Sequence, residues 1–352
     1  MRNHYIDVAK VIFSITIVTT HLFLLGYDRN YGFLAVEFFF FASGFFMMRS
    51  IAKRKDDPVP PGRFIYHKIA IFFPLFISAE IIALAFRSYV GFSTEGLTTP
   101  DFFTIIVMSI NELLFLQMSN IPCYCGIGIG WYFSAMILGM CILYPIALQR
   151  PNYSSTLAPA IAVILLGLIY TYIGTLDIPD ALVFGVPSGL IRGIADMCLG
   201  MFGFTCCERL RNTKLTSKGS ILLTIIVVVM IIITVYYMVF GKDAPYQFIT
   251  IIMLWCIVVI AASDKCLVFV KEGTRTESIL SHFGTISLLL LLNHYYIFDC
   301  IARLYPDDKP VLLVYSTITI LLCVIACYCL SKVLTRIMNS IKKICIETDH
   351  SE

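Results

Sequence analysis

The first apolar segment of the chain carries an acid, a lysine and a histidine at a spacing that could do chemistry. The segment reads MRNHYIDVAKVIFSITIVTTHLFLLGY and contains Asp7, Lys10 and His21. On an α-helix, Lys10 and His21 lie about three turns apart, within roughly 20° of one face, and the rise between them is about 16 Å. Imidazole titrates near neutral pH, so a buried His21 could act as a general base. The alternative is an interfacial Asp7–Lys10 pair and a structural histidine that is hydrogen-bonded inside a helix bundle.

The composition indicates what surrounds these groups. Of the 352 residues, 59% are hydrophobic and 14% are charged, and the mean hydropathy is +0.85. A soluble protein of this length could not bury so much apolar surface, and the apolar residues come in blocks of roughly 20, the length that crosses a bilayer. We therefore expect an all-α fold, a polytopic transmembrane helical bundle that lies in the lipid bilayer.

Apolar runs bounded by polar residues, proline or glycine predict about ten spans plus one re-entrant or interfacial helix. The spans fall near 6–26, 33–51, 64–86, 130–148, 157–175, 188–207, 220–240, 247–263, 279–299 and 311–335. The extra helix is the segment 101–118, which carries Asn111 and Glu112 in its middle. We predict one integral-membrane domain over 1–340 and a short cytoplasmic tail over 341–352.

The basic connections predict the orientation, because positive residues are retained on the cytoplasmic side. Three stretches are rich in Lys and Arg: RSIAKRKDDPVPPGRFIYHK, ERLRNTKLTSKG and the C-terminal stretch that holds Lys332, Arg336, Lys342 and Lys343. Placing all three in the cytoplasm puts both termini inside and both ends of 101–118 outside. We expect a multi-pass protein of the plasma membrane.

Later spans carry further polar groups, and each has a structural alternative. Arg192 and Asp196 lie four residues apart on one helix face, where they could neutralise each other. Trp131 and Tyr132 begin a span at its outer end, which is typical of an aromatic belt. His294 lies in a strongly apolar helix and could orient His21 or be a core histidine.

The cysteines and the charge distribution disfavour two classes of site. Most of the thirteen cysteines lie in apolar stretches, where they are small packing residues. Cys123 and Cys125 are spaced too closely for CxxC and lack a second pair or a nearby histidine, so we expect no metal site. No basic stripe is interleaved with aromatic residues, which disfavours nucleic acid as a partner.

The order of the first motifs resembles one membrane family. IDVAK, then His21 ten residues after Lys10, then AVEFFFFASGFF with Glu37 and the Ser43–Gly44 step, is similar to the integral-membrane acyltransferase family often called acyltransferase-3. Members of that family acylate sugars and related acceptors. The stretches RFIYHKIAIFFPLF, GWYFSAMILGM, IRGIADMCLGMFGF and GTISLLLLLNHYYIF fit as well, so the resemblance runs from residue 5 to about residue 300.

The resemblance implies a role for each polar position. The residues implied to be catalytic are His21, Glu37 and Ser43. Those implied to bind acyl-CoA are Lys10, Arg63, Lys68 and Arg192. Those implied to bind the acceptor are Asp7, Trp131, Tyr132, Asn293 and His294. Two departures weaken the implied donor site: Lys10 stands where many members have Arg, and Ile71 stands where a second Arg is common. Alternatively, Arg63 and Lys68 are only the positive residues that keep this connection on the cytoplasmic side.

We therefore expect an O-acyltransferase that moves an acyl group from cytoplasmic acyl-CoA to a hydroxyl of an extracytoplasmic or lipid-linked glycan-type acceptor, as in polysaccharide modification of the cell envelope. Acetyl-CoA is the expected donor by family frequency, with succinyl as the alternative acyl group and no metal cofactor. Direct attack and an acyl-histidine intermediate both stay open, as does the oligomeric state, including a homodimer. A transporter or flippase would use the same charged residues as a relay, but no paired half-helices support that class. A relative that binds without catalysis is a third alternative.

Overall fold

The computed structural model describes residues 4–124, 126–150, 152–241, 247–267, 273–305 and 309–349, with side chains up to residue 340. Within these ranges the chain forms a series of α-helices and one small hairpin. The helices are α1 (His4–Thr20), α2 (Ala35–Lys53), α3 (Pro61–Val90), α4 (Thr99–Leu113), α5 (Gly130–Gln149), α6 (Tyr153–Tyr172), α7 (Ser188–Arg211), α8 (Ser217–Phe240), α9 (Gln247–Ala261), α10 (Arg275–Ser281), α11 (Phe283–Leu304) and α12 (Lys309–Asp349). The antiparallel strands β1 (Leu182–Val183) and β2 (Val186–Pro187) precede α7.

Short turns of other helix types extend or join these elements. A 3₁₀ turn, His21–Leu25, continues α1, and another, Gly32–Leu34, precedes α2. A π turn, Gly91–Glu95, continues α3. A further 3₁₀ turn, Gln117–Ser119, lies between α4 and α5. The change from α to 3₁₀ at His21 ends the straight apolar face that the sequence predicts over 6–26.

The prediction of an all-α polytopic membrane bundle is confirmed. In the described part of the chain, nine helical segments are long and apolar enough to cross a membrane. The tenth expected span, 247–263, corresponds to α9, which has 15 residues. The segment 101–118 is helical only as far as Leu113, in α4, and its end enters the 3₁₀ turn Gln117–Ser119. α4 is not among the nine, and its interfacial placement stays a prediction.

Two helices that carry facing glycines, α2 and α7, pack closely in the centre of the bundle. A Cβ at Gly44 would overlap the backbone carbonyl of Met197, and one at Gly200 would overlap that of Phe41. Glycine at both positions lets the two backbones approach, which is how small residues promote helix packing in membranes. The fully buried phenylalanines of α2 around this contact are Phe38, Phe40, Phe41 and Phe45.

Hydroxyl groups set the register between α1 and α11. The hydroxyl oxygens of Ser14 and Ser287 lie 2.5 Å apart, and the Ser287 hydroxyl donates to the backbone carbonyl of Lys10 at 3.2 Å. Polar groups that lie among apolar side chains are costly without a partner, so this contact favours one alignment of the two helices. Seven residues further along each helix, His21 faces His294.

The last helix is continuous beyond the predicted domain. It runs from Lys309 to Asp349 and passes residue 341, where the tail is predicted to begin, without a break. The predicted division into 1–340 and 341–352 is therefore not marked by the end of a helix.

The contact between α2 and α7 predicts an unequal effect of two glycine substitutions. Gly44→Ala adds a methyl group against a backbone carbonyl that cannot move freely, so we expect a loss of about 1–3 kcal/mol in the free energy of unfolding. Gly62→Ala, in the first turn of α3, meets nothing within 4 Å and is the matched control. Thermal unfolding of the purified protein in detergent measures both; equal melting temperatures would contradict the close packing at Gly44.

Candidate functional site

A cavity of about 210 Å³ lies at the end of α1, and we call it the His21 cavity. It brings together four of the residues that the sequence indicates, namely His21, Trp131, Tyr132 and Arg192. The full lining comprises Ile17, His21, Phe23, Arg29, Phe33, Val36, Phe39, Gly128, Ile129, Trp131, Tyr132, Phe133, Asp177, Pro179, Asp180, Arg192, Leu291 and Tyr295. Most of the wall is apolar or aromatic, and the charged groups lie at a few defined points.

The hydrogen bonds of two histidines determine the tautomer of His21. Nδ1 of His294 lies 2.8 Å from the carbonyl oxygen of Leu291 and 3.1 Å from that of Leu290. Since carbonyl oxygens only accept, this nitrogen carries the proton and Nε2 of His294 is an acceptor. That Nε2 lies 3.2 Å from Nδ1 of His21, which is also 3.0 Å from the carbonyl oxygen of Ile17. His21 Nδ1 therefore carries a proton, and this network assigns the basic lone pair to its Nε2.

An aromatic ring that the sequence analysis missed holds the other side of His21. The ring of Tyr295 meets that of His21 edge to face, with 5.0 Å between the ring centroids. Gly128 makes room for Tyr295, because a Cβ at this glycine would overlap the tyrosine ring. Gly128 also has a φ of +82°, which glycine adopts without strain. The signals in the sequence were the GIGIG run and the position of Tyr295 next to His294.

Arg192 and Glu37 form a buried ion pair in the wall of the cavity. Both Nε and Nη2 of Arg192 bind Oε1 of Glu37, at 2.8 and 2.7 Å. The guanidinium also donates to the carbonyl oxygens of Leu176 and Phe33, each at 2.9 Å. The sequence left open a pairing of Arg192 with Asp196; in the structure the partner is Glu37, because α2 packs directly against α7. The guanidinium is thus engaged with protein acceptors on all three nitrogens.

Loop residues place charge at the edge of the His21 cavity. Arg29 pairs with Asp177 at 2.7 Å and lies over the ring of Phe23, 4.8 Å from its centroid. Burial raises the pKa of Asp177 above its ordinary value, and the guanidinium of Arg29 opposes that shift. Burial also raises the pKa of Asp180, whose carboxyl lines the same cavity. The sequence analysis missed these residues, since isolated charges in loops have no periodic signal.

The opposite end of α1 is basic. Nζ of Lys10 lies 3.4 Å from the carboxyl of Asp7 and 5.8 Å from the centroid of the Phe46 ring. Lys68 lies close enough to Lys10 for their like charges to repel each other. A cavity of about 370 Å³, which we call the basic cavity, adjoins this point. Its lining comprises Phe46, Arg49, Ser50, Lys53 and Arg54.

One face of α2 contributes residues to both cavities. Val36, Phe39, Ser43, Phe46 and Ser50 recur at helical spacing and are each half-buried, whereas most neighbouring positions on α2 are fully buried. Val36 and Phe39 line the His21 cavity, and Phe46 and Ser50 line the basic cavity. Ser43 lies between them, with its hydroxyl 3.5 Å from that of Tyr132. We call this face the α2 stripe; it spans about 21 Å at 1.5 Å per residue.

The remaining predicted residues lie away from the His21 cavity. The amide of Asn293 is turned into the bundle, where it donates to the carbonyl of Leu289 and accepts from the Tyr296 hydroxyl, each at 2.8 Å. Asp7 lies at the basic end with Lys10, and Arg63 is exposed in the first turn of α3. Arg192 lines the His21 cavity and is therefore apart from Lys10, Arg63 and Lys68, the other residues predicted to bind the donor. Within the described ranges, no group of three or more His, Cys, Asp or Glu could hold a metal ion.

Comparison with known proteins identifies the family. A family model described as an acyltransferase domain matches residues 3–332. No curated protein and no solved structure matches the chain. Because the match covers almost the whole membrane bundle, including α1 and α11 with their paired histidines, the chain belongs to the acyltransferase-3 family of integral-membrane acyltransferases.

Proposed function

We propose that this acyltransferase moves an acyl group from acyl-CoA, held at the basic end of α1, to an acceptor hydroxyl in the His21 cavity. The observation that carries the proposal is the histidine pair. The Nδ1–H of His21 donates a hydrogen bond to Nε2 of His294, so the basic lone pair of His21 is on its Nε2, beside a cavity. A general base must be in the correct tautomer and within hydrogen-bond reach of the proton that it removes. The α2 stripe supplies the route between donor and base.

In direct transfer, His21 carries the proton of the acceptor hydroxyl to the leaving CoA thiolate. Nε2 takes the proton of the acceptor hydroxyl while the oxygen attacks the thioester carbon, and the resulting imidazolium is held by Ile17 and His294. The C–S bond then breaks, and the imidazolium returns the proton to the leaving CoA thiolate. The Tyr132 hydroxyl, which lies in the same cavity, is the proposed donor to the oxyanion. In the acyl-histidine route, Nε2 attacks the thioester carbon first, and the C–S bond breaks to release CoA thiolate. The acceptor hydroxyl then attacks the acyl-imidazolium, the bond between Nε2 and the acyl carbon breaks, and the hydroxyl proton ends on the thiolate.

The basic cavity supports binding of the CoA phosphates. Lys10 and Lys68 repel each other in the free protein, so an anion between them removes a repulsion and gains charge-assisted hydrogen bonds. Arg49, Lys53 and Arg54 line the basic cavity itself and add three cations beside this pair. Arg63 is exposed on the adjoining helix α3 and is the proposed outer contact. The acyl-pantetheine arm would then lie along the α2 stripe, past Ser43, with its thioester at His21.

The edge of the His21 cavity supports a polyhydroxyl acceptor. Aromatic rings such as Trp131 and Tyr295 offer flat apolar faces, and the carboxyls of Asp177 and Asp180 accept hydrogen bonds from hydroxyl groups. That combination fits a glycan-type acceptor better than an apolar one. We propose that the acceptor side faces out of the cell and that the basic end and both termini are cytoplasmic, in the plasma membrane. The proposed acyl group is acetyl.

Substitution of His21 is the direct test of the base. His21→Ala and His21→Gln each remove the basic Nε2, so we expect both to lower the turnover number about 10²–10⁴-fold. The measurement is transfer of labelled acetyl from acetyl-CoA to a glycan acceptor at matched amounts of folded protein. His282→Gln, at an exposed histidine, is the control and keeps wild-type activity. Activity of either His21 variant within a few-fold of wild type would show that the histidine is structural.

Substitutions at the basic end of α1 are predicted to change the KM for acetyl-CoA and not the KM for the acceptor. Lys10→Ala and Arg49→Ala each remove a phosphate contact, so we expect the KM for acetyl-CoA to rise about tenfold or more with little change in the KM for the acceptor. Lys10→Arg keeps the charge and should retain most of the affinity. Lys214→Ala, at an exposed lysine, is the control. An unchanged KM for acetyl-CoA in the alanine variants would place the phosphates elsewhere.

The α2 stripe predicts that Ser43 is sensitive to size. Ser43→Phe fills the space between the two cavities, so we expect transfer to be abolished while binding of CoA itself persists. Ser43→Ala removes the hydroxyl beside Tyr132 but keeps the space, and we expect a several-fold loss of turnover. Equilibrium binding of CoA and acetyl transfer are measured for both variants. Full transfer by Ser43→Phe would show that the acyl arm does not pass along this face.

A further inference from the structure

A second group of polar side chains is buried where α3, α4 and the segment before α5 meet. Its members are Glu80 on α3, Ser109 and Glu112 on α4, and Gln117 in the following 3₁₀ turn. All four are buried, with Glu80 only 2% and Glu112 0% exposed. None of them lines the His21 cavity, so this cluster is separate from the proposed active site. We call it the Glu80–Glu112 cluster.

Most of the oxygen atoms in the cluster are buried without a hydrogen-bond partner. Both carboxyl oxygens of Glu80, Oε1 of Glu112, the hydroxyl of Ser109 and both the oxygen and the nitrogen of the Gln117 amide lack a partner of good geometry. The exception is Oε2 of Glu112, which accepts from the backbone N–H of Gly126 at 2.6 Å. Ser109 nevertheless lies near the Glu80 carboxyl, and Gln117 lies near that of Glu112. Buried polar atoms are nearly always satisfied, so a group of unsatisfied oxygens calls for a ligand.

Two glycines let these oxygens converge. A Cβ at Gly126 would lie 2.7 Å from Oε1 of Glu80, and one at Gly130 would overlap both Oε1 of Glu112 and the amide of Gln117. The carboxyls of Glu80 and Glu112 are close enough to interact electrostatically. The cluster therefore lies against the backbone at Gly126 and Gly130, where the amide nitrogen of Gln117 and Oε1 of Glu112 lie on the same side of Gly130.

The nearest cation is already used by other partners. Arg87 donates to Oδ2 of Asp299 at 2.8 Å and to the carbonyl of Gly126 at 2.7 Å. Asp299 also pairs with Arg303, which in turn binds Glu95. The two arginines are thus matched by Asp299 and Glu95, and the carboxyls of Glu80 and Glu112 have no cationic side chain of their own in the described part of the chain. Two buried carboxylates without a counter-ion are strongly unfavourable.

We propose that the Glu80–Glu112 cluster binds a divalent hard cation, with Ca²⁺ the best match. Two carboxylates balance its charge, and carboxylate, amide and hydroxyl oxygens are the ligands that Ca²⁺ takes in sets of about 6–8. Mg²⁺ fits less well, because it keeps several waters and demands near-octahedral geometry. The absence of cysteine and histidine from the set argues against a transition metal.

The bound cation has a structural role in this proposal. It joins α3 to α4 and fixes the segment from Gly126 to Gly130, which leads directly into Trp131 of the His21 cavity. It takes no part in the transfer of the acyl group. The inference therefore does not depend on the proposed function, and it can be tested without substrate.

Calcium binding is tested on the full-length protein in detergent after treatment with a chelator. We expect CaCl₂ to raise the melting temperature by several degrees and isothermal titration to give one site per chain. Glu80→Gln and Glu112→Gln are close in shape and should fold, but each should weaken Ca²⁺ binding at least tenfold, and the double variant should lose the thermal shift. Glu95→Gln, at an exposed acid that pairs with Arg303, is the matched control and keeps the shift.

Three results would overturn the cation site. The first is no heat of binding and no thermal shift with CaCl₂ in the wild-type protein. The second is a calcium shift that persists in the double Glu80→Gln, Glu112→Gln variant. The third is a stability that depends on pH but not on CaCl₂, since the two carboxyls would then share a proton instead of a metal ion. Equal stabilisation by MgCl₂ and CaCl₂ would overturn the choice of Ca²⁺.

Discussion

The buried ion pair between Arg192 and Glu37 is the interaction on which the walls of the His21 cavity depend. One guanidinium joins α7 to α2 through Glu37, to the turn before α2 through the carbonyl of Phe33, and to the loop after α6 through that of Leu176. Removing one partner of such a pair typically costs about 3–5 kcal/mol, because the other charge stays buried without compensation. One side chain thus links α2, α7 and two loop segments at the cavity, in addition to the backbone contacts at Gly44 and Gly200. The loop that carries Asp177 is held by the same group.

The register between α1 and α11 then sets the chemistry. The Ser14–Ser287 contact and the His21–His294 contact have the same seven-residue spacing on both helices, so one alignment satisfies both. A slip of one residue would turn each partner by about 100° and separate the histidines. The basic nitrogen of His21 therefore depends on two hydroxyl groups that lie two turns away from it. Local hydrogen bonding and long-range packing select the same arrangement, as expected for a sequence with a single native structure.

The sequence predicted the membrane bundle well because lipid restricts the choice of structure. Without water, each backbone amide must bond within its own helix, so a run of about 20 apolar residues has few alternatives to a spanning helix. The same constraint made His21, Lys10 and Glu37 conspicuous, since ionisable groups in such runs are rare. Loops obey no comparable rule. Arg29, Asp177 and Asp180 therefore gave no signal, although they lie at the same cavity as His21.

The sequence by itself determined the fold class, the helices and the first apolar segment with Lys10 near its start and His21 near its end, because hydropathy and helical period are local properties. Only the tertiary structure decided which groups meet. It paired Arg192 with Glu37 rather than with Asp196, turned Asn293 away from the cavity, and brought Glu80 to Glu112 across two helices. Partner choice between helices depends on which backbones can approach, and that is decided by the glycines at contacts such as Gly44 and Gly200. The spacing of residues along the sequence does not show which helices pack together or which side chains then meet.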